Sequence, residues 1–223
     1  MAILPIFITP SQPLREKASL VERVTDDIRA LVRDMTETMH AAPGVGLAAP
    51  QVGVRRQVFV WHWESGEGLY QGHVLNPSIT LRGPWRGRFR GEPAEEGCLS
   101  IPGLRYPLAR AERARLRGSD LEGNAVDIAA TGWLARIFQH EYDHLQGVLY
   151  RDRLSRPWRR EADSDIAESR VIGHAPSWTP GLEGTEEDFF DNPDRDHPDR
   201  DHPDRGHAET AGDGLPGGDA NRA

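Results

Sequence analysis

One cysteine, Cys98, and one lysine, Lys17, occur among 223 residues. A single cysteine excludes an intrachain disulfide, and a reducing compartment would keep it as a thiol. No run approaches the roughly 18 consecutive apolar residues of a membrane-spanning helix. The N-terminus also lacks the basic, apolar and small-residue succession of a secretory signal. The missing span and signal predict a cytoplasmic protein with no membrane partner; no direct DNA partner is expected either. Hydrophobic residues make up only 37% of the chain, low for a wholly globular one, so part of it is expected to lie outside any packed core.

Charge says which part. Residues 1–160 carry 22 Lys+Arg against 18 Asp+Glu, a net charge of +4, whereas residues 161–223 carry 5 against 17, a net charge of −12. The second segment contains NPDRDHPDRDHPDRGH, a repeated DRDHP with His197, His202 and His207 five apart, then a glycine-rich end. Such composition offers too little apolar surface to offset the entropy lost on ordering. Three regions are therefore expected: a domain at 1–160, an extension at 161–182 that docks in part through Trp178 of SWTPG, and a disordered acidic tail at 183–223. Arginines at 82, 86, 88 and 90 form a basic run suited to RNA phosphates or to a solvated loop.

Periodicity supplies the elements. Ile28, Leu31, Val32, Met35 and Met39 recur at helical spacing between Thr25 and His40, with Asp26 and Asp27 in the first turn, and Pro43-Gly44 ends the pattern. RQVFVWHW and HVLNPSITL read as strands, and RARLRGSDLEGNAVDIAA as a hairpin turning at Glu122, Gly123 and Asn124. A second helix is expected from an N-cap at Thr131 to Gly147, apolar nearly all round and hence buried. Without regular strand–helix alternation, the predicted class is α+β, with antiparallel β-sheets packed around that central helix.

The buried helix contains QHEYDHLQG. One helical turn separates His140 from His144, close enough to share a metal ion, with Glu141 beside the first. Two ligands rarely suffice, and Cys98 in EEGCLSIPG is the candidate third. A Cys/His/His set leaves one position for water, the arrangement of a catalytic site. Peptidases with HExxH draw their third ligand from downstream, which weighs against that activity here.

Three segments, GVGLAAPQ at 44–51, EGCLS at 96–100 and QHEYDH at 139–144, resemble the signature motifs of the peptide deformylase family, in the family's order. The likeness extends from about Ile3 to Leu154. It implies removal of the formyl group from the N-terminal formylmethionine of nascent polypeptides, near the ribosome, with release of formate. It also implies one divalent metal ion on Cys98, His140 and His144, iron(II) first, with zinc, nickel or cobalt also compatible with the ligands. By the same likeness Glu141 is the general base, and the Gln51 amide and Leu99 backbone N–H face the developing oxyanion. Val45, Gly46, Gly97, Arg105, Trp133 and Ile137 would bind the peptide and its methionine side chain. SQPLR near the N-terminus and the arginine-rich TLRGPWRGRFRGEPA depart from the family pattern.

Overall fold

The computed structural model describes residues 2–66, 68–89, 92–169, 172 and 175–181. The predicted acidic tail and its histidine repeat lie outside the described residues. The order of elements is β1 (Ile6–Phe7), α1 (Asp26–Ala41), β2 (Gly46–Ala48), β3 (Val58–Ser65), β4 (Gly68–Arg86), β5 (Arg88–Phe89), β6 (Glu92–Pro93), β7 (Glu95–Cys98) and β8 (Ile101–Pro107). Then follow β9 (Arg110–Ser119), β10 (Ala125–Thr131), α2 (Gly132–Leu145), α3 (Tyr150–Arg153), α4 (Arg156–Glu168) and β11 (Ser177–Trp178). Residue 160, where the charge balance changes, falls within α4. Among the described residues no helix is long and apolar enough to cross a membrane.

Five strands form an antiparallel sheet in the order β10-β9-β4-β3-β2, and β7 pairs antiparallel with β8 in a separate two-stranded sheet. Helix α2 packs against β2, β3, β4, β9 and β10. The α+β arrangement of antiparallel sheets around a central helix follows from two apolar patterns. Ala114 and Leu116 are buried while Arg113, Arg115 and Arg117 are exposed, the alternation of a sheet with one wet face. Eleven residues of α2 are buried, so this helix is surrounded rather than laid on a surface.

Phe138 on α2 packs against Phe59 and Trp61 of β3, with ring centroids 6.2 and 5.1 Å away. Truncating a buried phenylalanine of this kind costs about 3–5 kcal/mol, so this contact anchors the helix to the sheet. At its start α2 has no connecting loop. Thr131 is both the last residue of β10 and the N-cap of α2, and Gly132 makes the bend with φ 58°. A residue with a Cβ is strained at that angle.

On the wet face, Arg82 of β4 lies directly opposite Arg113 of β9, and Thr80 opposite Arg115. Facing partners in an antiparallel pair point the same way, so Arg82, Arg113, Arg115 and Arg117 share the outer face. A bulge between Arg82 and Trp85 keeps Trp85, which is 60% exposed, on the same side, opposite Ala111. The sequence's basic run therefore divides: Arg86 pairs with Glu112 at 3.4 Å, and residue 90 lies outside the described residues.

Candidate metal centre and active site

Cys98 closes β7, and His140 and His144 stand one turn apart on α2. Cys98 lies more than 40 residues before the histidines in the sequence, yet one ligand atom from each of the three lies within 4.8 Å of the others. The Cys98 Sγ is 3.3 Å from His144 Nε2, which is 3.2 Å from His140 Nε2. All three residues are buried. A sulfur and two imidazole nitrogens turned toward one another, away from bulk water, suit a divalent cation of intermediate softness.

The tautomer of His140 is fixed by its other nitrogen. Nδ1–H donates to Glu96 Oε1 at 2.7 Å, leaving the Nε2 lone pair for the cluster. Glu96 is itself held by Arg110, through Nη2 at 2.7 Å and Nε at 3.1 Å, and Arg110 reaches Asp143 at 2.6 Å. Asp143, between the two histidines on α2, also accepts from Arg153 at 2.8 Å. Burial alone would raise the Glu96 carboxyl, but the Arg110 charge and the bonds from His140 and Arg110 hold it far below the usual carboxylate range. Glu96 is thus an anion that orients the ligand.

Glu141 has a different environment. It is buried, its Oε2 has no hydrogen-bond partner among the described residues, and desolvation pushes its carboxyl up to about 7, against the opposing charges of His140 and Arg110. A carboxylate poised near neutrality suits a group that both takes and returns a proton. The glycine at 46 makes room for it: a Cβ there would come within 2.7 Å of the Glu141 Cδ. The sequence assigned this glycine to the peptide, and its missing side chain also leaves the space that the Glu141 carboxyl group occupies. Gly44 is similarly pressed by Leu99 Cδ1, 2.8 Å from a Cβ at that position.

Gln51 lies in a short helical turn after β2 and is buried. Its Oε1 accepts from Ala48 N–H at 2.9 Å, which turns the NH2 group toward Ser100 Oγ at 3.3 Å and Cys98 Sγ at 3.8 Å. Leu99 follows the sulfur in the chain. The amide of residue 51 and the residue 98–100 turn therefore border the cluster from one side, with Glu141 on another.

A cleft of about 540 Å³ opens at this place. Every residue anticipated for the peptide, Val45, Gly46, Gly97, Arg105, Trp133 and Ile137, lines it, as do Gln51, Cys98, Leu99, His140 and Glu141. Sequence reasoning missed Trp63 and Arg136, which line it too. Strand alternation puts Trp63 on the face of Phe59 and Trp61, and its ring lies 5.9 Å from that of Trp133. Arg136 sits one turn before His140, its guanidinium 5.6 Å from the Trp133 ring centre. The partners Glu96, Arg110 and Asp143 were missed as well. Glu96 had a signal, since a residue two before Cys98 on a strand shares its face.

The polypeptide deformylase family model matches residues 3–160. The peptide deformylase of Tropheryma whipplei (strain TW08/27) is 42% identical over 191 residues, covering 80% of this chain and 94% of its own. That of Symbiobacterium thermophilum is 45% identical over 175 residues, covering 75% and 77%. Among solved structures, the Ehrlichia chaffeensis peptide deformylase in complex with actinonin is similar at TM-score 0.68 and 37% identity, over 77% of this chain and 99% of that one. The Thermus thermophilus peptide deformylase gives 0.65 and 41%, over 74% and 95%.

Proposed function

The chain belongs to the peptide deformylase family, and from that premise we propose that Cys98, His140 and His144 hold one divalent cation beside Glu141. The enzyme is a hydrolase that removes the N-terminal formyl group of nascent polypeptides, releasing formate and a free amine. The convergence of the three ligand atoms within 4.8 Å carries the assignment of the centre. When bound, the cation supplies a more acidic water and polarises the amide carbonyl.

Glu141 takes a proton from the attacking water and returns it to the departing nitrogen. Gln51 Nε2 and the Leu99 N–H donate to the oxygen as it gains charge, each such donor being worth about 10²–10³ in rate. The peptide lies extended along Val45, Gly46 and Gly97, and Trp133, Ile137 and the stem of Arg105 receive the methionine side chain. Iron(II) is the proposed metal, with zinc, nickel and cobalt accepted by the same ligands. The test is Glu141→Gln with formate release and metal content measured together. Loss of turnover by about 10²–10⁴ with metal retained is expected, and unchanged turnover overturns the assignment.

A nascent-chain substrate argues for an enzyme that works in the cytoplasm beside the ribosome. The outer sheet face supports association there: Arg82 and Arg113 make no ion pair among the described residues, Arg115 and Arg117 share Asp127, and exposed Trp85 offers a stacking surface. Cosedimentation with ribosomes over a range of salt checks this. Arg82→Glu with Arg113→Glu should weaken binding and flatten its salt dependence, and an unaffected pair of curves removes this face from consideration.

A further inference from the structure

Trp178 lies beyond the residues the family model matches, yet it reaches the turn that carries Cys98. β11 pairs antiparallel with β1, Trp178 opposite Ile6, and the indole is 2% exposed. Its Nε1–H donates to the Leu99 carbonyl oxygen at 3.0 Å. The same peptide unit ends in the Ser100 N–H, which donates to Cys98 Sγ at 3.4 Å. The next carbonyl, of Ser100, accepts from Thr9 N–H at 2.9 Å. Two successive carbonyls of the turn are thus gripped by the segments that β1 and β11 join to each other.

We propose that Trp178 is a positioning residue for the metal ligand Cys98, acting through the Leu99–Ser100 peptide, in addition to filling the core. A peptide whose oxygen accepts a hydrogen bond becomes a stronger donor at its N–H, because the two bonds polarise the group in the same sense. The indole therefore draws electron density from the sulfur by way of Ser100 N–H. It also stops this peptide from rotating, which would turn the N–H off the sulfur. A thiolate restrained in this way donates less charge to a bound cation, leaving the cation a stronger Lewis acid. The inference rests on Cys98 being a ligand.

The position is polar in an otherwise apolar setting. Phenylalanine would fill most of the space occupied by the indole, so a residue chosen for packing alone would not need the N–H. With the donor gone, the Leu99 carbonyl is left buried without this partner.

The test uses the full chain loaded with cobalt(II), comparing the wild-type protein with Trp178→Phe. In the variant the sulfur-to-cobalt charge-transfer band is expected to move to longer wavelength, because the sulfur is richer in electrons. The kcat should fall about 2- to 10-fold, the equivalent of one ordinary hydrogen bond, with KM for a short formylmethionyl peptide unchanged. A band that does not move, accompanied by a lowered melting temperature alone, overturns the proposal and leaves Trp178 as core. Should Trp178→Phe not fold, benzothienylalanine placed at 178 keeps the shape and lacks the N–H, and the same band decides. A wild-type protein with no sulfur-to-cobalt band sinks the Cys98 assignment itself, a result distinct from a band that is present and insensitive to residue 178.

Discussion

Gly46 and Glu141 come from different elements and fit only because one of them has no side chain. The space a Cβ would fill at residue 46 is taken by the Glu141 carboxyl group, whose Cδ lies 2.7 Å from that point. The buried carboxylate has open space only on the side of the cleft it lines. Strand β2 and helix α2 are therefore in register at the level of a single methyl group.

Gly46→Ala is expected to displace the Glu141 carboxylate by around an ångström and lower kcat/KM about 10²-fold, since misplacement on that scale is enough. Bound metal and the far-UV circular dichroism should be unchanged. Full activity in the alanine variant would mean that the observed carboxylate position is not the working one.

Arg110 joins Glu96 to Asp143 inside the protein, with 3% of its side chain exposed. Arg110→Met leaves both acids buried beside one lost cation and should cost about 3–5 kcal/mol in a urea titration. Arg115→Met, at an exposed pair with Asp127, should barely move the midpoint. Equal effects from the two changes would contradict the ranking by burial.

His73 is half-buried, and its Nε2 accepts from Leu121 N–H at 3.2 Å. Burial lowers its pKa below the ordinary 6.5, with Asp120 and Glu122 working the other way. Below pH 6.5 the unfolded chain takes a proton that the folded chain refuses, so stability declines as pH drops and the decline ends below the folded pKa. His73→Gln should lessen the loss of stability between about pH 7 and pH 5, read from urea midpoints. Parallel pH profiles would clear His73 of any part.

Metal removal should destabilise the chain. A cation present at 100 times its dissociation constant contributes about 2.7 kcal/mol by mass action. Calorimetry with and without a chelator measures the difference, and His144→Ala should abolish most of it. A chelator effect that survives in that variant would place the stabilising ion elsewhere.

Much of the site was legible because its chemistry sits on regular elements. The spacing of His140 and His144 on a helix, and of Cys98 in a short glycine turn, conveys function before any contact is known. The helix α1 and the β9–β10 hairpin were legible for the same reason, from the apolar period of Ile28 to Met39 and from the turn at Gly123. What was hidden depends on distant partners. Arg110 shares the inward parity of Ala114 and Leu116 on β9, but an arginine in an arginine-rich strand gives no sign of Glu96 and Asp143, the distant acids that make an internal cation tolerable. Trp178 shows a related limit: a tryptophan after a charged stretch signals docking without saying which carbonyl it will meet.

The junction at Thr131–Gly132 links two coordinates that most proteins keep separate. Without slack between β10 and α2, the sliding register of the hairpin fixes the rotational phase of the helix. Each residue contributes about 100° of turn, so one residue inserted at the joint would swing the imidazoles a quarter-circle or more away from the sulfur. The tip at Gly123, where a Cβ would meet nothing within 4 Å, could lengthen at far smaller cost, although Glu122 beside it pairs with Arg29 of α1. Changes in chain length are thus tolerated at one end of a single hairpin and ruinous at the other.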